Sequence, residues 1–223
     1  RILVYNKDIT SLFLEKKLIK TKEKVVLVSG SGVDIDYFYE AEFPDNISFL
    51  LIARLLSDKG LYEYYEAAKI IKENYPQTTF NIVGFIDESN PTAISKKQLD
   101  QWIDEGIINF LGKKEDVRLS LSDSSVYVLP SYHEGIPRSV LEAMSMGRPV
   151  ITTDTYGCRE TVIPQVNGFL VPIKDSKSLA RAMEEFIKNP SLIKKMGQES
   201  RRIATERFST SVINKVISET IEL

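Results

Sequence analysis

Eight short apolar runs constrain what this chain can fold into more than any other feature. They lie at residues 2–5, 25–29, 47–53, 79–84, 107–111, 125–129, 149–153 and 168–171. Each is rich in Val, Ile, Leu or Phe at successive positions, and Gly, Pro, Asp or Ser bounds it. A strand that is apolar on both faces is buried on both faces, as in a parallel sheet covered by helices. The intervening segments carry helical periodicity: Leu61, Tyr64, Tyr65, Ala68 and Ile71 share one helical face, and Pro76 stops that helix. After a polar loop over 85–98 at the sheet edge, the helix that follows Pro91 runs through Gln98, Trp102 and Ile103. This alternation predicts an α/β fold, a Rossmann-like doubly wound parallel sheet. The last third reads as helical, with one helix from Ser176 to Asn189-Pro190 and a second from Ser191 to about Arg207. A third starts near Ser209 with Val212, Val216 and Ile217 as its apolar stripe.

Composition removes several classes. With 223 residues, 43% of them apolar and 27% charged, the chain is neither disordered nor collagenous. A net charge of −2 gives no bulk electrostatic case for nucleic acid. A lone Cys158 excludes an internal disulfide and a cysteine zinc site, and fits a reducing compartment. The densest apolar run, Phe49 to Ala53, is too short for a membrane span, and no cationic leader opens the chain. Opening at Arg1 inside an expected strand, it reads as an excerpt of a longer protein.

In doubly wound sheets ligands bind beyond the carboxyl ends of the strands. After the 125–129 strand comes Pro130-Ser131-Tyr132-His133-Glu134-Gly135-Ile136-Pro137, then a helix carrying Glu142 in its second turn. Pro137 suits the first helical turn, and the amides around Ile136 to Arg138 offer an anion seat. Glu134, folded back across the helix mouth, shares a ligand with Glu142. After the 47–53 strand come Arg54 and then Lys59-Gly60, two cations suited to phosphate. Taken singly, Arg54 and Lys59 read as solvated loop charges, His133 as a surface residue and Cys158 as a small semi-buried one. Together, cations for a diphosphate and carboxylates for vicinal hydroxyls suggest a nucleotide-sugar. Asp34-Ile35-Asp36 has the D-x-D spacing of a metal chelator, but Asp34 reads instead as the cap of the turn into Tyr37-Phe38. Gly30-Ser31-Gly32 starts like a dinucleotide fingerprint whose third glycine is replaced by Ile35.

The ordered series "ARLLSDKG" (53–60), "FNIVG" (80–84), "INFLGKKEDV" (108–117), "VLPSYHEGIPRSVLEAMSMGRPVITTD" (128–154) and "GCRETVIPQVNGFLVP" (157–172) resembles the donor-binding C-terminal domain of retaining GT-B glycosyltransferases of family 4. The likeness covers nearly the whole chain. "NPTAIS" (90–95), "EGIPRSVLEAM" and "GCRE" look most like the bacterial branch that builds surface polysaccharides and lipid-linked oligosaccharides. There, N-acetylgalactosamine or a related sugar moves from UDP to an undecaprenyl-diphosphate carrier. The resemblance implies that Glu134 and Glu142 are the family's E-x7-E pair, Glu142 holding the ribose hydroxyls and Glu134 the donor sugar or its phosphate. It puts Arg54 and Lys59 on the diphosphate, Gly135, Ile136 and Pro137 along diphosphate and sugar, and Arg138 and Gly84 in the donor site. Lys113 and Lys114 line the base, largely through backbone groups. Ser131, Gly147, Pro149, Glu160 and Asn167-Gly168 match the pattern as scaffold.

The sequence departs from that pattern at Gly84, where Phe85-Ile86-Asp87 follows instead of x-G, and at Pro137, which replaces an aromatic. The implied organisation has residues 1–29 as the end of an N-terminal domain and its connector. Residues 30–208 form the nucleotide-sugar domain, and 209–223 a helix that crosses back, its apolar stripe exposed without the absent domain. The implied partners are a nucleotide-sugar donor, a glycan or polyprenyl-diphosphate acceptor and the missing N-terminal domain. No cofactor, metal or nucleic acid is expected. The implied place is the cytoplasm, with peripheral attachment to the inner membrane face through the absent domain. The expected chemistry is metal-free retaining transfer, with Arg54, Lys59 and the helix amides stabilising phosphate charge. Three rivals stay open: a glycoside hydrolase using Glu134 and Glu142, an epimerase or phosphorylase of the same fold, and a UDP-binding module inactive alone.

Overall fold

A computed structural model describes residues 1–5 and 7–221. In chain order the elements are β1 (Ile2–Val4), α1 (Lys7–Glu15), β2 (Val25–Leu27), β3 (Ser48–Ile52), α2 (Leu61–Asn74), β4 (Thr79–Val83), α3 (Lys96–Asp104) and β5 (Asn109–Phe110). Then come α4 (Arg118–Ser122), β6 (Val126–Leu129), α5 (Arg138–Ser145), β7 (Val150–Thr153), β8 (Gly168–Val171), α6 (Ser176–Lys188), α7 (Ser191–Ile203) and α8 (Thr210–Ile221). Every apolar run singled out above forms a strand.

Six of those strands make one sheet in the order β5-β4-β3-β6-β7-β8, parallel throughout. β1 and β2 pair only with each other, so the eight strands divide into two sheets rather than one. Both faces of the larger sheet are covered, as double-sided apolarity requires. Phe49, Leu51, Val126 and Val128 pack toward α2, α3 and α6. Their neighbours Leu50, Tyr127 and Leu129 pack toward α5 and the residues after α7.

The strand order has one reversal. From β3 the chain moves outward through β4 to β5, then returns to the other side of β3 and moves outward through β6, β7 and β8. The carboxyl ends of β3 and β6 therefore flank the crevice where doubly wound sheets take ligands. Close backbone packing holds that crevice together. Gly60 has φ +74°, and a Cβ there would lie 2.1 Å from the Pro130 carbonyl oxygen.

Three local differences from the expected elements have short-range causes. The polar loop ends at Ser95, whose side chain accepts from the Gln98 N–H and so starts α3 at Lys96 inside the expected loop. α4, only five residues long, has no periodicity to read. The helix expected to reach Arg207 leaves α geometry after Ile203 and finishes as a π turn over Ala204–Phe208. In α8 the buried residue is Ile213, while Val212, Val216 and Ile217 are half-buried. Of the expected crossing helix, Glu222 and Leu223 lie outside the described residues, as does Asn6 near the chain start. Among the described residues no helix is long and apolar enough to cross a membrane.

Arg201 on α7 ties the 34–38 turn to the end of α5. Its Nη1 donates to the carbonyls of Ile35 (3.1 Å), Phe38 (2.9 Å) and Ser145 (2.6 Å) and to Ser145 Oγ (2.8 Å). Arg201→Ala strips these acceptors of a charged donor. It is expected to lower unfolding free energy by about 2–3 kcal/mol, read as a lower urea midpoint at unchanged slope.

Candidate functional site

At the mouth of the crevice, Lys59 Nζ from the β3–α2 connection meets Glu134 Oε1 from the β6–α5 loop at 2.7 Å. Each side chain is only 17% exposed, so this pair is screened far less than a surface one. The β6–α5 loop is anchored beside it. The Tyr132 N–H donates to the Asp58 carbonyl at 2.8 Å, and the Tyr132 hydroxyl to Glu63 Oε1 at 2.7 Å.

α5 begins at Arg138 behind Pro137, with no side chain capping its first turn. One turn on, Glu142 Oε1 accepts from Arg138 Nε at 3.0 Å; the arginine is 72% exposed and the glutamate 13%. An i,i+4 pair with one partner in solvent contributes a few tenths of a kcal/mol, so Arg138 is readily moved aside. Burial pushes the Glu142 carboxyl above the ordinary range, and the Arg138 charge opposes that rise.

On β6, the Tyr127 hydroxyl donates to the Ile52 carbonyl at 3.2 Å and lies 2.7 Å from Ser139 Oγ, which can donate to it. Burial raises its hydroxyl far above the usual tyrosine value, and the charges of Glu142 and Glu134 add to the rise. Both carboxylates thus act on one hydroxyl between the carboxyl ends of β3 and β6. Lys59 and Glu134 are paired directly, and Glu142 is linked to them through the charge that both carboxylates exert on Tyr127.

Arg54 pairs with a different carboxylate. Its Nη1 lies 3.1 Å from Asp87 Oδ2 in the β4–α3 connection. Gly84 is buried at the end of β4, where a Cβ would lie 2.0 Å from the Ala53 carbonyl oxygen. Lys113 Nζ sits 5.3 Å from the centre of the half-exposed Phe85 ring, and Lys114 is exposed. Arg54, Lys59 and Arg138 each hold a carboxylate.

Asp34 Oδ1 accepts from the N–H groups of Asp36 and Tyr37, both at 3.0 Å, which is a turn cap. Among the described residues no three His, Cys, Asp or Glu side chains form a group able to hold a metal. His133 is exposed and meets the Tyr156 ring edge-on, and Cys158 is buried.

Sequence reasoning passed over three residues of this site. Tyr127 looked like one more core position of a strand. Asp87 sat in a stretch read only as polar. Gly157 lay inside a quoted motif without a role, yet it has φ +75° and a Cβ there would meet the Gly135 oxygen at 1.9 Å and the Glu134 oxygen at 2.4 Å. A glycine next to a candidate motif was the one signal available for it.

A family model described as "Glycosyl transferases group 1" matches residues 35–203. Among curated proteins, the chain is 30% identical over 77% of its length to a Campylobacter jejuni enzyme. That relative is named N,N'-diacetylbacillosaminyl-diphospho-undecaprenol alpha-1,3-N-acetylgalactosaminyltransferase, and 47% of it is covered. The chain is 34% identical, over 71% of its length and 44% of the relative, to an Escherichia coli UDP-Gal:alpha-D-GlcNAc-diphosphoundecaprenol alpha-1,3-galactosyltransferase. It spans about half the length of the curated relatives it matches. Among solved structures, Anabaena HepE in complex with UDP superposes with a TM-score of 0.85 at 22% identity, over 99% of this chain and 63% of that one. That likeness is one of fold.

Proposed function

Because this chain belongs to the group 1 glycosyl transferases, we propose that its crevice binds a UDP-sugar for transfer of a hexose or N-acetylhexosamine. The acceptor in this reading is a glycan or polyprenyl-diphosphate-linked sugar of a bacterial surface polysaccharide. The observation that carries it is the Lys59–Glu134 pair across the switch point, with Glu142 one helical turn inside. A nucleoside diphosphate needs cations and amides at its phosphates and an acceptor for its vicinal hydroxyls, and the crevice supplies both. The two curated relatives act on undecaprenyl-diphosphate-linked substrates by name, and one uses UDP-galactose.

In the proposed reaction the bond from the anomeric carbon to the phosphate oxygen breaks as a bond to the acceptor oxygen forms. The acceptor's proton passes to the leaving diphosphate. Lys59, Arg54 and the amides at the start of α5 meet the charge that grows on the leaving oxygen. Glu134 touches the donor sugar, and retention at the anomeric carbon, the family 4 outcome, is part of the proposal. Gly135, Ile136 and Pro137 line the diphosphate, and the Lys113-Lys114 loop lines the base. Residues 1–29 and 209–221 belong with a second domain that brings the acceptor and any membrane contact, so the isolated chain binds UDP and transfers nothing.

Glu142 supplies the test. Its ionised carboxylate accepts two ribose hydroxyls in charge-assisted bonds. Glu142→Gln is expected to weaken UDP about 10–100-fold by calorimetric titration, as losing one to two such bonds implies. Since burial raises this carboxyl, UDP affinity falls as pH drops through a value above the ordinary glutamate range, and the glutamine variant loses that dependence. At this residue the folded state holds the proton more tightly than the unfolded chain, so its own contribution to stability declines as pH rises through the same interval. Unchanged UDP affinity in Glu142→Gln removes the ribose role. Hydrolysis of aryl glycosides without nucleotide supports a hydrolase instead.

A further inference from the structure

We propose that Asp87 is a positioning residue that orients the Arg54 guanidinium toward the leaving phosphate, and that the 85–95 connection is the strap holding it there. This rests on the reading of the crevice as a UDP-sugar site. The strap is sewn along the segment that bears both cations of the crevice. The Leu55 N–H donates to the Phe85 carbonyl at 2.9 Å, the Ser57 N–H to the Thr92 carbonyl at 2.8 Å and the Ile94 N–H to the Leu55 carbonyl at 2.9 Å. Leu56 and Ala93 form an antiparallel bridge.

Within the strap, both oxygens of Asp87 are committed. Oδ1 accepts from Ser89 Oγ at 2.7 Å and Oδ2 from Arg54 Nη1 at 3.1 Å. The Ser89 hydroxyl and the Arg54 guanidinium hold this carboxyl below its usual range. Asn90 Oδ1 accepts from the Thr92 N–H at 3.0 Å and so braces the turn that carries Ser89.

A half-exposed arginine on a loop would otherwise sample many rotamers and lose that freedom on meeting a phosphate. One N–H on Asp87 takes that loss in advance and leaves the other guanidinium donors for the ligand. The benefit falls on charge that develops as the bond breaks, since the bound diphosphate already finds Lys59 and the α5 amides. Asp87 therefore affects turnover more than UDP affinity.

The test uses the complete enzyme and a UDP-sugar that it turns over, with UDP release as the rate and UDP titration as the affinity. Asp87→Asn keeps the shape and removes the charge. It is expected to lower kcat about tenfold, the loss of one well-placed orienting contact, with UDP affinity changed less than about threefold. Asp87→Glu restores part of the rate, and in an Arg54→Ala background Asp87→Asn has no further effect. An unchanged kcat in Asp87→Asn, or an equal drop with Arg54 already removed, overturns the proposal. If Arg54→Ala itself transfers at the normal rate, the assignment of Arg54 to the phosphate fails and the role of Asp87 falls with it. That result differs from the failure of Asp87 alone, in which Arg54→Ala is impaired and Asp87→Asn is not.

Discussion

Lys59→Ala in the complete enzyme is expected to reduce kcat by about 10²–10³, the scale seen when one preorganised charge-stabilising group is removed. Lys59 spans the switch point from the β3 side to Glu134 on the β6 side. Its loss removes the least exposed cation of the crevice and strands a carboxylate in surroundings that solvate it poorly. These two consequences are separable. If the damage comes only from the stranded charge, the Lys59→Ala/Glu134→Gln double variant is as fast as Glu134→Gln alone. If Lys59 stabilises the leaving diphosphate, the double variant stays far slower than Glu134→Gln alone. Lys59→Arg keeps the charge but exchanges a compact ammonium for a planar fork, so it recovers only part of the activity. Normal transfer by Lys59→Ala ends the role assigned to this residue.

Gly157→Ala is expected to damage stability and donor binding together, although residue 157 carries no functional group. Its φ of +75° costs an L-residue about 1–2 kcal/mol, and the added Cβ meets two backbone oxygens of the Glu134-Gly135 loop well inside contact distance. Backbone cannot swing aside as a flexible side chain does, so the loop must move and Glu134 leaves Lys59. Gly106 provides the control. It has φ +68°, and a Cβ there meets nothing within 4 Å, so Gly106→Ala carries the conformational cost alone. Urea unfolding is expected to show Gly157→Ala as the less stable of the two. UDP titration is expected to show more than tenfold weaker binding for Gly157→Ala and wild-type binding for Gly106→Ala. Equal stability in the two variants with intact UDP binding removes the loop-positioning account.

The candidate site was legible in parts. Glu134, Glu142 and Lys59 stood out because carboxylates and a cation followed expected strand ends, and the structure pairs Lys59 with Glu134. Arg54 was assigned by the same reasoning, yet its partner Asp87 is 33 residues away in a stretch that read as a featureless loop. Nothing local marks such a pairing: the antiparallel bridge between Leu56 and Ala93 creates it. Likewise α4 and the π turn after α7 are too short to leave a periodicity.

What the amino-acid order determined by itself was local: where strands lie and that both faces of the sheet are covered. Apolarity acts over a few residues, so a linear pattern reports it. Tertiary structure alone decided that the strand order reverses between β3 and β6. It also decided that Lys59 reaches Glu134 across 75 residues of chain and that the charges of both glutamates act on Tyr127. Those outcomes depend on which strand pairs with which, a contest among long-range contacts that hydrophobic spacing records without ranking.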